Sequence, residues 1–553
     1  MLIPTKEQFA VLSVPQQIGQ LARVDAKTRQ DLLLSSRDSL ELVRVLSPEM
    51  LFYTVKEIGL TDAVGLLALA SPEQVRDMMD LDCWRKDQLD DQRMITWLLL
   101  LDEAGSGKLA EWALHADIEL LVLLVKKHFE VIRKADIEED PTFDQSRYFT
   151  FDDQYLLRFS GEEEPILHLL LERLRVIDYR QYTYVLENSL LELETGLEEA
   201  VFRWRNARLA DRAYPDYDEA CALLSPIAPE SIRLERYPRS SVRRLRFATG
   251  EDLIPSDHAL MLLETQASFF LRALAAVPVE DLDPISQELA ALTNQIVIAD
   301  GCDPGEVAEV RRCVALAHDA LNIGLAFFAE EKEPHAVQLL HETLLRPIFQ
   351  AGFSLTMRVS QHARELGTNL QNAGFLAWET YLDTPFREIV AGSKRRSPLF
   401  FRGLETRGEI LYRPFQELAD IHTVETVLTQ IPVWFGVLQR LALLLSGPAS
   451  EGVTLAVLWN TAFLRWVVEK RIDARPLQRK DLLAGQRQLR GEKLAKETSA
   501  FLTIVTTQCQ LTVDETEALR VLSTVAHEKL SEVLAVDATT TDLKFIAGVL
   551  TDE

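Results

Sequence analysis

Apolar residues recur along this chain at intervals of three and four, with polar positions between them. That spacing predicts amphipathic helices over most of the length. The starts are marked as plainly as the period. Ser47-Pro48, Ser71-Pro72, Asp283-Pro284 and Asp303-Pro304 each set a side-chain oxygen ahead of a proline. The oxygen can accept from an orphan amide, and proline loses no hydrogen bond at a first helical position. Asp303 and Glu306 also have the spacing of a capping box. The period shortens once, where Arg147–Phe151 and Gln154–Phe159 flank Asp152-Asp153, which predicts a short β-hairpin. The expected fold class is mainly α. A helical superhelix occupies residues 1–140, a small mixed segment 141–233, a basic linker 234–250 and a large C-terminal helical domain 251–553.

Two of the starts belong to a repeat. Leu46-Ser-Pro-Glu49 and Ala70-Ser-Pro-Glu73 stand 24 residues apart, and Gly59 with Thr61-Asp62 supplies a stop and a new start between them. The unit is two short helices and a turn that bury their apolar faces on a neighbour. The stretch SPEMLFYTVKEIGLTDAVGLLALASPEQVRDMMDLD resembles the helical-repeat cytoplasmic domain of MgtE-type magnesium transporters and of the flagellar switch protein FliG. The resemblance covers residues 25–135. The transporter's membrane helices and nucleotide-sensing domain have no counterpart, so transport is not implied. Taken whole, through Arg208–Ala220 (RLADRAYPDYDEA) and Ser397–Leu404 (SPLFFRGL), the chain resembles a bacterial family of large helical proteins without an assigned function. That resemblance implies no catalytic residues.

Charge narrows the partners. The chain carries 59 basic against 85 acidic residues, a net of −26, and is repelled by phosphate backbones unless its basic residues cluster. Protein partners are therefore expected ahead of nucleic acid. The five cysteines lack the two-to-four-residue spacing of a zinc knuckle and read as reduced, mostly buried thiols. The amino terminus has no basic start before an apolar run. The most apolar windows, Thr426–Gln439 and Gly452–Leu464, stop at Arg440 and Arg465, short of the roughly 20 residues that cross a bilayer. A soluble, cytoplasmic protein is expected.

Local catalytic patterns fail one after another. Gly105-Ser-Gly-Lys108 ends like a phosphate loop, but its first position is Asp102 and Leu109 follows the lysine where a hydroxyl should hold magnesium. It reads as a turn. Ile296–Gly305 likewise reads as an inter-helix turn, with Gly301 after the helix end and Asp303 as the next cap. His527-Glu528 begins like a zinc-protease helix, yet Ser531 occupies the second histidine position. His362 with Glu365, and His422 with Glu425, are the one metal constellation, each pair sharing a helix face.

Basic islands remain as anion or partner sites. Arg233, Arg236, Arg239, Arg243, Arg244 and Arg246 form one, and Lys394, Arg395 and Arg396 another; a third runs from Arg475 to Lys493. Pairing with the protein's own acidic faces competes with partner binding at all three. The sequence thus reads as a non-enzymatic scaffold or adaptor that needs no cofactor. The alternative is a metal- or small-ligand-binding enzyme or sensor with its site in the C-terminal helical domain.

Overall fold

The computed structural model describes residues 6–21, 24–105, 107–137, 143–161, 164–236, 268–404, 411–444, 452–489, 493–536, 543 and 546–552. Among them are 25 helices and three two-stranded antiparallel sheets, so the fold is mainly α. The chain divides into two units, residues 1–321 with 325–351, and residues 322–324 with 352–553.

The first unit begins with ten short helices: α1 (Lys6–Ala10), α2 (Val14–Leu21), α3 (Ala26–Ser35), α4 (Ser39–Val45), α5 (Pro48–Ile58), α6 (Val64–Leu69), α7 (Pro72–Asp82), α8 (Asp91–Glu103), α9 (Lys108–His115) and α10 (Ile118–His128). They stack in two rows. Helix α3 packs on α5, α5 on α7 and α7 on α9, while α4 packs on α6 and α6 on α8. The expected caps set the phase of this stack. Ser47 accepts from the Met50 amide at 3.2 Å, and Ser71 forms a full capping box with Gln74. Gly59 ends α5 at φ +105°, a backbone angle that side chains disfavour. A two-residue hairpin, β1 (Trp84–Arg85) with β2 (Gln88–Leu89), joins α7 to α8.

The longer hairpin differs from the expected one. Gln154–Phe159 does hold a strand, β4 (Tyr155–Phe159), but its partner is β3 (Phe129–Arg133), directly after α10. Arg147–Phe151 contributes a single bridge, Phe149 to Leu157. The reason is packing. Phe129 and Val131 alternate into the core, and the Phe129 ring lies 4.6 Å from Phe159. The Asp152-Asp153 turn still forms, with Asp152 accepting from the Gln154 and Tyr155 amides.

Helices α11 (Pro165–Ile177), α12 (Tyr179–Leu191), α13 (Glu194–Asp211) and α14 (Tyr217–Leu223) follow, then α15 (Phe269–Ala275), α16 (Val279–Ala299), α17 (Val307–Ala329) and α18 (Glu333–Glu342). Helix α16 packs on α14, and most of the expected basic linker, residues 234–250, lies outside the described residues. Two expected starts also move. Helix α16 begins at Val279, which leaves Pro284 inside it, and α17 begins at Val307 with Glu306 in the cap position. Helix α17 is long and apolar enough to cross a membrane, and most of that window is buried in the fold.

Helix α19 (Leu345–Asn372) leads into the second unit, where α20 (Phe386–Ser393), the short pair β5 (Phe400–Phe401) and β6 (Tyr412–Arg413), α21 (Leu418–Arg440), α22 (Leu455–Glu469), α23 (Arg479–Gln488), α24 (Lys493–Cys509) and α25 (Val513–Ala535) follow. The two most apolar windows are the buried helices α21 and α22. Helix α22 packs on α23, α24 and α25, around Trp459, Phe463 and Phe501.

Candidate functional site

The charged residues of the first unit converge on one seam. Helix α13 carries Arg205 and Arg208, and Arg212 follows as its C-cap, at spacings of three and four that bring the three to one side. Helices α5 and α7 present Glu49, Asp77 and Asp80, all nearly buried. Arg208 meets Asp80 at 2.6 Å and Asp117 at 2.8 Å, and Arg212 spans Glu49 and Asp77. Arg205 donates to the Asp80 carbonyl at 2.8 Å, with its guanidinium 5.2 Å from the Trp84 ring centre. Burial pulls Arg205 down to about 10, because no carboxylate faces it as closely as those facing its neighbours. Burial likewise pushes the Asp77 carboxyl up, against the opposing pull of Arg212 and Arg76.

The seam continues to a turn far along the chain. Asp82 accepts from Trp97 Nε1 at 2.8 Å and pairs with Lys56 at 2.9 Å. Arg93 donates to the Asp82 carbonyl at 2.8 Å and pairs with Asp303 at 2.7 Å. Asp303 is thereby held in an ion pair, and it accepts from the Gly305 amide at 2.8 Å within its own turn; the expected capping box with Glu306 does not form. Gly305 is required there, since a Cβ would lie 2.2 Å from Asp82 Oδ1. Gly301, at φ +66°, closes α16 as the sequence indicated, with the Cys302 amide bonded to the Val297 carbonyl. These contacts consume the charges they bring together. They tie α5, α7, α8 and α13 to one another and to the turn before α17.

The glycine-lysine stretch is a turn between α8 and α9, where Gly105 sits at φ +149° and Lys108 Nζ donates to the Ala70 carbonyl at 2.8 Å. His527 lies against Thr498 Oγ1 at 2.7 Å.

Of the four expected metal ligands, the second unit brings two into contact. His362 Nδ1 stands 2.5 Å from Glu425 Oε2. Glu365 lies one turn on from His362 and accepts from Gln361 at 2.8 Å. His422 is exposed on α21. His362 and Glu365 line a cleft of about 400 Å³, with Asn369, Phe375, Phe435 and Gln439.

The basic islands divide. Arg239, Arg243, Arg244 and Arg246 lie outside the described residues, and Arg236 is largely exposed, 3.2 Å from Glu342. Lys394 pairs with Glu379 and sits over Trp378, Arg395 stacks 4.4 Å from the Tyr412 ring centre, and Arg396 is exposed. Arg475 pairs with Asp473 at 2.8 Å.

One feature escaped the sequence reading. Among the described residues, the large exposed aromatic side chains are Tyr179, Tyr184, Trp204 and Tyr217, all on α12 to α14. Exposed Val176, Ile177, Leu191 and Leu193 flank them. Tyr184 and Leu191, seven apart, share a face of α12. The signal available was the break in amphipathicity at Val176-Ile177 and Leu191–Leu193, where apolar residues stand at helix ends.

The sequence model of a family of unknown function (DUF6178) matches residues 6–552, and the chain belongs to that family. No curated protein and no solved structure matches it.

Proposed function

We propose that this member of a family of unknown function is a non-enzymatic, cytoplasmic bacterial scaffold that binds a partner protein through the exposed aromatic and apolar side chains of α12, α13 and α14. The observation that carries the reading is the confinement of the large exposed aromatics to positions 179–217. Tyrosine and tryptophan are enriched at protein interfaces because they bury much area at small conformational cost. Arg203 lies 5.7 Å from the Trp204 ring centre and adds the residue type most favoured beside them. The two-row stack supports the same reading, since stacked helical units present extended partner surfaces. The resemblance of residues 25–135 to transporter and flagellar-switch repeats is a further support. The experiment is site-specific photo-crosslinking in the native cell, with the probe at Tyr184, Leu191 or Trp204 and a control probe at exposed Val513. One discrete adduct shared by the first three positions and missing from the control is expected. Adducts at none of the three reject the proposal.

A second reading is favoured by the cleft beside His362. Its polar rim of His362, Glu365, Asn369 and Gln439 over Phe375 and Phe435 has the make-up of a small-ligand site. Elemental analysis and native mass spectrometry of the purified full chain test it. Bound metal or a retained small molecule that is lost on H362A favours this reading.

A further inference from the structure

The sulfurs of Cys302 and Cys313 lie 3.1 Å apart, although ten residues separate them in sequence. The turn after α16 carries Cys302, and the second turn of α17 carries Cys313. Both belong to the first unit and both are buried, at 7% and 1% exposure. Arg312 Nη2 donates to Cys302 Sγ at 3.1 Å and pairs with Asp300 at 2.9 Å, and both of those side chains reach solvent. Asp300, Cys302 and Cys313 also place three donor atoms within 4.8 Å of one another, the spacing of a possible metal site. The Arg312 cation, which meets both Cys302 and Asp300, favours dithiol chemistry over a metal dication at this cluster. Two sulfurs each about 2.3 Å from one tetrahedral zinc stand roughly 3.8 Å apart, whereas a bonded pair stands about 2.05 Å apart. At 3.1 Å the pair stands between these two separations and needs a movement of about 1 Å to bond.

We propose that Cys302 and Cys313 are a redox-active dithiol, oxidised to an intramolecular disulfide by peroxides and restored by small or protein dithiols. Cys302 is the attacking sulfur and Cys313 the resolving one. Two observations fix that order. Arg312 presents its cation to Cys302, which is less deeply buried than Cys313 and lies beside the exposed Arg312 and Asp300 side chains. The hydrogen bond from Cys313, with Arg312 assisting, holds the Cys302 thiol below the usual range against burial, while the same bond and burial push Cys313 up. The Cys302 thiolate attacks one peroxide oxygen, the oxygen–oxygen bond breaks, and the leaving hydroxide takes a proton to become water. The sulfenic acid left on Cys302 is attacked by Cys313; the sulfur–oxygen bond breaks, and hydroxide leaves as water with the Cys313 proton. Two thiols lose two electrons in total and one peroxide becomes two waters. Asp303, next in sequence to Cys302, is held by Arg93, so closing the disulfide draws on the turn that ties α16 and α17 to α8.

The test uses the full chain treated with equimolar hydrogen peroxide, then denatured and alkylated with N-ethylmaleimide. Five labels before treatment become three after it, dithiothreitol restores five, and tandem mass spectrometry finds Cys302 joined to Cys313. Cys313→Ser stops at a sulfenic acid on Cys302 that dimedone traps, and Cys302→Ser keeps its four labels. Five labels on treated wild-type protein, a disulfide joining other cysteines, or label loss that dithiothreitol does not reverse would overturn the proposal. So would stoichiometric zinc in the purified protein that is lost in Cys302→Ser.

Discussion

The two units solve the same problem, holding short amphipathic helices together, with different interactions. In the first, a face of arginines on α13 meets carboxylates on α5 and α7, and Arg93 on α8 reaches the turn before α17. In the second, rings meet rings. Phe501 lies 4.9 Å from Trp459, 5.4 Å from Phe463 and 5.5 Å from Trp466, and Trp434 sits 4.5 Å from Phe386. Among the described residues, buried charges there are fewer and isolated: Asp383 accepts from the Ala456 amide, Thr454 and Lys529. The lesson concerns specificity. A paired charge with the wrong neighbour costs several kcal/mol, so a charged seam fixes which helix lies where; an aromatic core fixes compactness and tolerates exchange of shapes.

The largest effect should follow from unpairing the seam. Arg212→Ala leaves Glu49 and Asp77 buried, with Asp77 keeping only the longer Arg76 contact at 3.4 Å. The expected loss is about 4 kcal/mol in urea unfolding of the full chain. Replacing the set together, Arg212→Met with Glu49→Leu and Asp77→Leu, should return stability to within about 1 kcal/mol of wild type. If the triple variant is as unstable as the single one, the seam is not an electrostatic unit and the contrast between the regions fails.

The aromatic core should respond differently. Phe501→Ala opens a cavity among three rings and should cost about 3 kcal/mol, and Phe501→Leu should recover at least half of that. No second substitution at a charged position should rescue it. A rescue from such a site would show that the second unit also depends on charge.

Caps sit below both. Ser71→Ala removes a bond to the Gln74 amide at 3.2 Å and should cost about 1 kcal/mol, measured by the same unfolding titration. That cap was legible in the sequence, as were Ser47, the glycine stops at 59 and 301, and the buried character of α21 and α22. Each rests on residues within a few positions of one another. What was not legible depends on distant partners. Asp303 lost its expected capping role to Arg93, 210 residues away. Strand β4 chose Phe129–Arg133 because those side chains fill the core, a comparison a local pattern cannot make. His362 and Glu425 were named together but assigned to different pairs, since the crossing of α19 and α21 is a property of packing. Cys302 and Cys313 looked like two scattered thiols until a glycine turn folded one onto the other.

The smallest effect is a pH dependence in the second unit. His527 is packed among α22, α24 and α25, with Thr498 Oγ1 2.7 Å from Nε2 and the Ser523 carbonyl 2.5 Å from Nδ1. Burial lowers its pKa from the usual 6.5, and the bond to Ser523 only partly opposes this. The folded state therefore holds its proton more weakly than the unfolded chain does. The stability contributed by the neutral ring is fully present above pH 6.5 and is lost as pH falls from there toward the lower folded value. In urea titrations the His527 contribution, read as the difference in slope between wild type and His527→Gln below pH 6.5, should be no steeper than about 1.4 kcal/mol per pH unit, the limit for one proton. His527→Gln should remove that component and leave the acid loss from other groups. An unchanged slope in the variant would mean that the ring titrates alike in both states, and that burial among aromatic rings does not select its neutral form.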